Sequence, residues 1–161
     1  MLRTLAVHQV RFIVIGGFAA VLHGSPLFTA DADVTPDPDP DNLRRLCEAL
    51  REMDARIRTP SDPDGLPFSC DETFLLQMSM ANLRTEYGDF DLSFRPAAFD
   101  GGYQALAEHA VQFDVGGFVV LVAALPDIIR SKERADRDKD RAALPYLRAL
   151  QDEIEAREAR G

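Results

Sequence analysis

Cysteine, basic charge and long apolar runs are all scarce in this 161-residue chain. Its two cysteines, Cys47 and Cys70, are too few for a disulfide scaffold and lack the spacing of metal ligands, so we expect reduced, structural thiols. The 18 lysine and arginine residues face 27 aspartate and glutamate residues, and the net charge is −9. This surplus of acid argues against a protein that coats nucleic acid by charge alone, but it leaves room for a local basic patch.

The apolar runs 12–15 and 118–125 are far shorter than the roughly 20 residues that a transmembrane helix needs. The first ten residues also lack the apolar segment of a secretory signal. We therefore expect a cytoplasmic protein with no membrane partner. Hydrophobic residues make up 46% of the chain and charged residues 28%, which is typical of a folded globular protein. The length predicts a single domain over 1–161, with a charged tail after about residue 151 that frays.

Local patterns predict the main elements. Residues 11–15 form a β-branched apolar run that favours a buried strand, and 29–35 alternate apolar and acidic residues like a second strand. Asp41 is a good N-cap for a helix that begins at Asn42. The segment 59–65 is rich in Pro, Asp, Ser and Gly, which is typical of a loop. Two further strands, 83–87 and 90–94, form a hairpin, and Pro126 opens a helix.

A pair of glycines and a pair of carboxylates follow the first strand. Gly16-Gly17 ends that strand, thirteen residues intervene, and Asp31-Ala32-Asp33 follows. Residues i and i+2 of a strand point to the same face, so Asp31 and Asp33 lie side by side. Their mutual repulsion would be removed by a divalent cation such as Mg²⁺. The glycines allow close approach of the backbone to a phosphate at a helix start. The alternative is a strand that merely ends at glycine and two solvated aspartates.

A third carboxylate, Asp91, lies on a later strand between two apolar residues. Three inward carboxylates are what a two-metal phosphoryl- or nucleotidyl-transfer site requires. Asp89 shares the face of Asp91, but it adjoins the turn at Gly88, so we prefer Asp91. The alternative is an ordinary surface aspartate.

These motifs resemble the polymerase-β-type nucleotidyltransferase superfamily. The stretches 16–24 and 29–34 are similar to its small bacterial branch, which includes minimal nucleotidyltransferases and abortive-infection (AbiEii-like) toxins. The C-terminal stretches 125–132 and 137–140 resemble the lysine helix and the Arg-x-Lys-Asp element of that branch. The resemblance implies an α/β (α+β) fold, with a mixed β-sheet flanked by helices and the carboxylates on adjacent strands.

The resemblance also implies the site. Asp31, Asp33 and Asp91 would be the catalytic residues and the ligands of Mg²⁺ or Mn²⁺, and Gly16, Gly17, Lys132 and Arg137 would bind the nucleotide. Lys132 follows two buried isoleucines by one helical turn, so we expect it at the edge of the buried stripe. There it either reaches the triphosphate, so that alanine lowers kcat/KM with little loss of stability, or covers apolar surface. It lies in a segment, 130–141, with six basic and four acidic residues.

The implied reaction moves a nucleoside monophosphate from an NTP, with release of pyrophosphate. The preferred acceptor is a hydroxyl of a macromolecule, a tRNA or a protein, and the chain would be the toxin of a pair with an antitoxin partner. The first alternative is a small-molecule, antibiotic-type nucleotidyltransferase. The second is a catalytically spent nucleotide-binding module, because Pro26, Leu27 and Phe28 occupy a region where the branch often has an arginine.

Overall fold

One mixed sheet runs through the computed structural model, which describes residues 1–160. Its strands are β1 (Phe12–Ile15), β2 (Ala32–Pro36), β3 (Arg56–Thr59), β4 (Asp62–Leu66), β5 (Met80–Thr85), β6 (Gly88–Ser93), β7 (Val111–Asp114) and β8 (Val119–Val122). The helices within these residues are α1 (Leu2–Val7), α2 (Gly16–Leu22), α3 (Pro40–Glu52), α4 (Glu72–Gln77), α5 (Gly102–Ala107), α6 (Leu125–Ala135) and α7 (Asp138–Glu158).

The spatial order of the strands is β4-β3-β5-β6-β2-β1-β8-β7. β1 pairs in parallel with β8, and β2 pairs in parallel with β6, whereas the other neighbours are antiparallel. Parallel neighbours require a crossover connection, and the one between β2 and β6 contains α3, β3, β4, α4 and β5. The predicted fold class, a mixed sheet flanked by helices, is confirmed.

The central strands carry the core. Ile13 and Val14 of β1, Val34 of β2 and Leu92 of β6 have no exposed surface. β1 is buried on both faces because strands and helices enclose it, which is why its sequence is an unbroken apolar run rather than an alternating one. Helices α2, α6 and α7 pack together, and α1, α3 and α4 form a second group. Cys47 is a free buried thiol in this core, as is Cys70.

Helix α3 begins two residues earlier than the sequence predicts. Its N-cap is Asp39, whose Oδ1 accepts a hydrogen bond from the Asn42 amide at 3.2 Å, and Pro40 is its first residue. Asp41, the predicted cap, instead lies in the first turn. Proline suits a first helical position because its missing N–H would have no partner there in any case.

The prediction of a loop over 59–65 is wrong, because most of these residues belong to the antiparallel hairpin β3–β4. β4 lies at the edge of the sheet, where Pro63 is tolerated because edge strands do not need every amide. Gly65 has a φ of +87°, and a Cβ there would stand 2.7 Å from Cβ of Arg56. The turn-forming residues that favour a loop therefore serve an edge strand packed against its neighbour.

Both ends of the chain are more helical than expected. Helix α1, which the sequence pattern does not predict, buries Leu2 and Leu5. Helix α7 continues through the segment predicted to fray, to Glu158, and Ile154 packs against the core. No helix within residues 1–160 has both the length and the apolar character needed to cross a membrane.

Candidate functional site

Two carboxylates meet on adjacent strands at the centre of the sheet. Asp33 of β2 is in register with Asp91 of β6, in a parallel pair, and with Ile15 of β1 on its other side. On the far side of Asp91, Asn82 of β5 is its antiparallel partner. Neighbouring strands lie about 4.8 Å apart. A row of side chains therefore crosses four strands, with the two carboxylates in the middle.

Asp31 stands just before β2 rather than on it, because the strand begins at Ala32. It nevertheless lines the same cavity as Asp33 and Asp91. Asp89 lies differently: it pairs with Arg84, and its Oδ2 is 3.5 Å from Nε of Arg58. Of the two candidates on β6, only Asp91 lines the cavity.

The cavity has a volume of about 1080 Å³ and lies against the strand row, between α2, α6 and α7. It brings together all the site residues that the sequence predicts. Those residues are Gly16, Gly17, Asp31, Asp33, Asp91, Lys132 and Arg137. Their placement in one cavity is an observation, whereas their roles stay predictions.

The pKa values of the two strand carboxylates in this cavity are raised, so their charged forms are disfavoured. Burial, followed by the charge of Asp91, raises the pKa of Asp33 to about 6. Burial also raises the pKa of Asp91, although Arg58 opposes that shift. Desolvated neighbouring carboxylates disfavour their ionised forms, and a cation between them restores ionisation. The electrostatics of the site therefore favour a bound cation.

The glycine pair lies directly against these side chains. Gly16 has a φ of +67°, and a Cβ on it would stand 2.9 Å from Cγ of Asp33 and closer still to Oδ2. A Cβ on Gly17 would stand 3.0 Å from Oγ1 of Thr29. Both the backbone conformation and the approach of the carboxylate require glycine at position 16, since real Cβ atoms essentially never have contacts under 3.0 Å.

Lys132 and Arg137 are held by a buried carboxylate. Asp140 has no exposed surface, and its oxygens accept hydrogen bonds from Nζ of Lys132 at 3.0 Å and from Nε of Arg137 at 2.6 Å. Burial alone would raise the pKa of Asp140, but the hydrogen bonds from Arg137 and Lys132 outweigh burial and lower it. Only 15% of the Lys132 side chain is exposed. Lys132 lines the cavity and at the same time joins α6 to α7.

Three cavity residues were not chosen from the sequence. Lys139 is exposed, makes no ion pair within residues 1–160, and lowers the pKa of Asp33 through its charge. It belongs to the Arg-x-Lys-Asp stretch, so the sequence did carry a signal for it. Arg58 and Asn82 carried none, because only the register of β3 and β5 brings them to the row.

The donor set fits Mg²⁺ or Mn²⁺. Within residues 1–160, no group of three or more His, Cys, Asp or Glu side chains is arranged so that it could hold a metal ion by itself. Mg²⁺ does not need such a cage, because it is commonly bound by one or two carboxylates, several waters and the phosphates of a substrate. Asp33 and Asp91, with Asp31 nearby, supply the carboxylates.

Comparisons with known proteins were informative at the level of structure. No protein-family model matches the chain, and no curated protein matches its sequence. The solved structure of LnuA, a lincosamide antibiotic adenylyltransferase bound to lincomycin, has a TM-score of 0.62 at 14% identity and covers 92% of both chains.

Two further solved structures are similar to this chain in fold. The antibiotic-resistance factor ANT(2'')-Ia has a TM-score of 0.53 at 14% identity over 98% of this chain and 89% of its own. TM1012 of Thermotoga maritima, which carries a provisional nucleotidyltransferase assignment, has a TM-score of 0.53 at 16% identity over 94% of this chain and 91% of its own. The chain thus has the nucleotidyltransferase fold, with two aligned carboxylates at the centre of its sheet.

Proposed function

We propose that the protein is an NTP-dependent nucleotidyltransferase of the two-metal type. The observation that carries this proposal is the register of Asp33 and Asp91 on adjacent parallel strands, with Gly16 against the first carboxylate. Asp31, Asp33 and Asp91 would hold Mg²⁺ or Mn²⁺. When bound, the cations would neutralise the triphosphate and lower the pKa of the attacking hydroxyl. The toxin-like branch of the superfamily and a cytoplasmic location are part of the same proposal.

The chain's own residues have separate tasks in this reaction. The absent side chains of Gly16 and Gly17 make room for the side chains of Asp33 and Thr29, and the bare glycine backbone would lie open to phosphate oxygens beside Asp33. Lys132 and Arg137, oriented by Asp140, would face the triphosphate with hydrogen-bond donors. The acceptor hydroxyl gives up its proton to solvent as its oxygen forms a bond to the α-phosphorus. The bond from that phosphorus to the bridging oxygen breaks, and pyrophosphate leaves with negative charge that Lys132 and Arg137 would stabilise.

We propose a macromolecular acceptor, a tRNA or a protein, in a toxin that an antitoxin partner restrains. The exposed apolar side chains of Phe28, Met80 and Tyr146 line the cavity and form its rim. Such a rim suits a partner larger than the cavity itself, because exposed apolar groups at a site gain from being covered by a second surface.

A small-molecule acceptor is the second candidate. LnuA, which was solved with lincomycin bound, matches this fold over 92% of its own length. A chain of this size can therefore carry an enzyme whose acceptor is a small antibiotic. This observation makes a lincosamide or an aminoglycoside a necessary arm of any acceptor screen.

The test is transfer of label from each of the four α-³²P NTPs, with Mg²⁺ or Mn²⁺, to deacylated tRNA, to protein and to antibiotics. We expect labelled macromolecule, loss of label with Asp33→Asn, and full activity with Asp152→Asn, an exposed aspartate on α7 outside the cavity. Labelled antibiotic alone selects the second candidate. Binding of NTP without any transfer selects a spent nucleotide-binding module, and the absence of both metal and NTP binding contradicts the proposal.

A further inference from the structure

Arg58 stands at the far end of the carboxylate row. It follows Ile57, which pairs with Leu83 of β5, so it lies level with Asn82 and one strand beyond it. Its side chain is partly buried and lines the cavity. Gly16 lies at the opposite end, beyond Asp33, so Arg58 faces the end of the cavity that is remote from the proposed triphosphate site.

The guanidinium of Arg58 is held between two carboxylates by weak contacts. Its Nη2 is 3.4 Å from Oδ1 of Asp91, and its Nε is 3.5 Å from Oδ2 of Asp89. Well-formed hydrogen bonds between charged groups measure about 2.7–2.9 Å. The Nε atom is also buried and has no hydrogen-bond partner within residues 1–160. Arg58 is therefore attracted to Asp91 by charge but is not locked there.

The other carboxylate of the pair keeps Arg58 near the site. Asp89 uses its Oδ1 to accept a hydrogen bond from Nε of Arg84, and this leaves its Oδ2 towards Arg58. Asp89 is outside the cavity and is neutralised by two arginines, so its charge does not depend on a metal ion. If the contact with Asp91 were lost, Arg58 would still have an anionic neighbour in Asp89, which lies on β6 like Asp91.

We propose that Arg58 is a displaceable internal cation: it neutralises Asp91 in the absence of metal, and a divalent cation bound to Asp91 drives the guanidinium towards the end of the cavity opposite Gly16, where the acceptor would bind. This inference rests on the proposed function, since it requires Asp91 to be a metal ligand. Two positive groups at one carboxylate repel each other, and the divalent ion has the stronger attraction. The displaced guanidinium keeps its Nε towards Asp89 and presents its Nη donors to an incoming acceptor, so Arg58 helps to position that acceptor.

The experiment measures Mn²⁺ binding by electron paramagnetic resonance, without nucleotide or turnover. Arg58→Gln removes the competing charge, so we expect Mn²⁺ to bind about two- to fivefold more tightly, the range for a partly exposed ion pair. Arg58→Lys keeps the charge and should remain between wild type and Arg58→Gln. The matched control is Arg56→Gln, on the same strand but outside the cavity, where Arg56 pairs with Asp54 at 3.2 Å; it should leave the affinity unchanged.

A second measurement follows the wild-type protein itself and needs the variant Arg58→Lys only to assign one signal. The Nε–H of Arg58, identified by its loss from the ¹⁵N spectrum of Arg58→Lys, should shift as Mg²⁺ saturates the site. Two results would overturn the inference: unchanged or weaker Mn²⁺ binding in Arg58→Gln, or an Nε–H signal whose chemical shift does not change when Mg²⁺ is added. If wild type binds Mn²⁺ normally in those cases, the proposed function stands. A wild-type protein that binds neither NTP nor Mn²⁺, with Mn²⁺ tested both alone and beside an added NTP, overturns both.

Discussion

Replacement of Gly16 by alanine tests the contact between the glycine pair and the carboxylate row. Gly16 and Gly116 have the same φ of +67°, but only Gly16 has a neighbour within reach of a new Cβ. A Cβ on Gly116 would meet nothing within 4 Å. The two alanine variants therefore share the cost of the backbone conformation and differ in the approach to Asp33.

The two alanine variants should differ in how much free energy of unfolding they lose. A residue with a Cβ in the left-handed region costs about 1–2 kcal/mol, and Gly→Ala recovers about 0.4–1 kcal/mol by restricting the unfolded chain. Gly116→Ala should therefore lose about 1 kcal/mol. Gly16→Ala adds an overpacked contact with Asp33, worth about 1–3 kcal/mol. At about 2–4 °C per kcal/mol for a chain of this size, its Tm should fall several degrees further than that of Gly116→Ala.

The assay combines thermal unfolding with nucleotidyl transfer. Gly16→Ala should lose most of its activity at a temperature where it is folded, because the new methyl group displaces the Asp33 carboxylate. Gly116→Ala should keep its activity. Equal Tm values for the two variants, or a Gly16→Ala protein with normal Mn²⁺ binding and transfer, would refute the reasoning that Gly16 exists to accommodate Asp33.

Three further predictions follow from the charges of the cavity. In EDTA at pH 8, Asp33→Asn should be more stable than wild type by roughly 1–3 kcal/mol, since the folded-state pKa of about 6 exceeds the ordinary 3.8. Wild type loses this stability as the pH rises from about 4 through 6, because the unfolded chain releases the proton first, so urea denaturation at pH 4 should show no gain. Lys132→Ala should lose about 1–3 kcal/mol as well as activity, because it leaves the buried Asp140 with one partner fewer; an unchanged Tm would contradict this. Lys139→Ala should lower kcat/KM with a Tm close to that of wild type, since Lys139 is exposed and unpaired within residues 1–160. Michaelis–Menten kinetics beside melting curves distinguish the two lysines. A normal kcat/KM in Lys139→Ala would exclude a role for Lys139 in the reaction.

The behaviour expected of Lys132 shows where sequence reasoning reached its limit. Helical spacing places Lys132 at the edge of a buried stripe, and the structure has it partly buried at the cavity. The sequence predicts that its loss should hardly affect stability. Asp140 changes that expectation, because a carboxylate with no exposed surface depends on Lys132 and Arg137 for its charge. The contact between Lys132 and Asp140 joins α6 to α7, so the spacing of residues within one helix cannot predict it.

The two local errors differ in origin, since the first lies in the choice between two local helix starts and the second in strand pairing. Asp41 satisfies every local rule for an N-cap, but Pro40 and Asp39 allowed an earlier start for α3. The Pro, Asp and Gly residues of 59–65 are typical of a loop, but they form an edge strand because β3 was available for pairing. Local preferences are worth about 1 kcal/mol or less per residue, so tertiary pairing overrides them.

By itself, the sequence predicted the fold class, through its resemblance to a family, and the seven predicted site residues that line the cavity. It could do so because the glycine pair, the Asp-Ala-Asp stretch and the lysine helix are local motifs that the resemblance reads directly. The period of a strand was not enough by itself, because Asp31 precedes β2. Only the tertiary structure decided the rest. The register between β2 and β6 made neighbours of Asp33 and Asp91, and the register of β5 and β3 extended the row to Asn82 and Arg58. The pairings of β2 with β6 and of β3 with β5 join residues far apart in the chain, and packing of the whole sheet selects these partners rather than any local pattern. The pairing of β5 with β6 is a local hairpin.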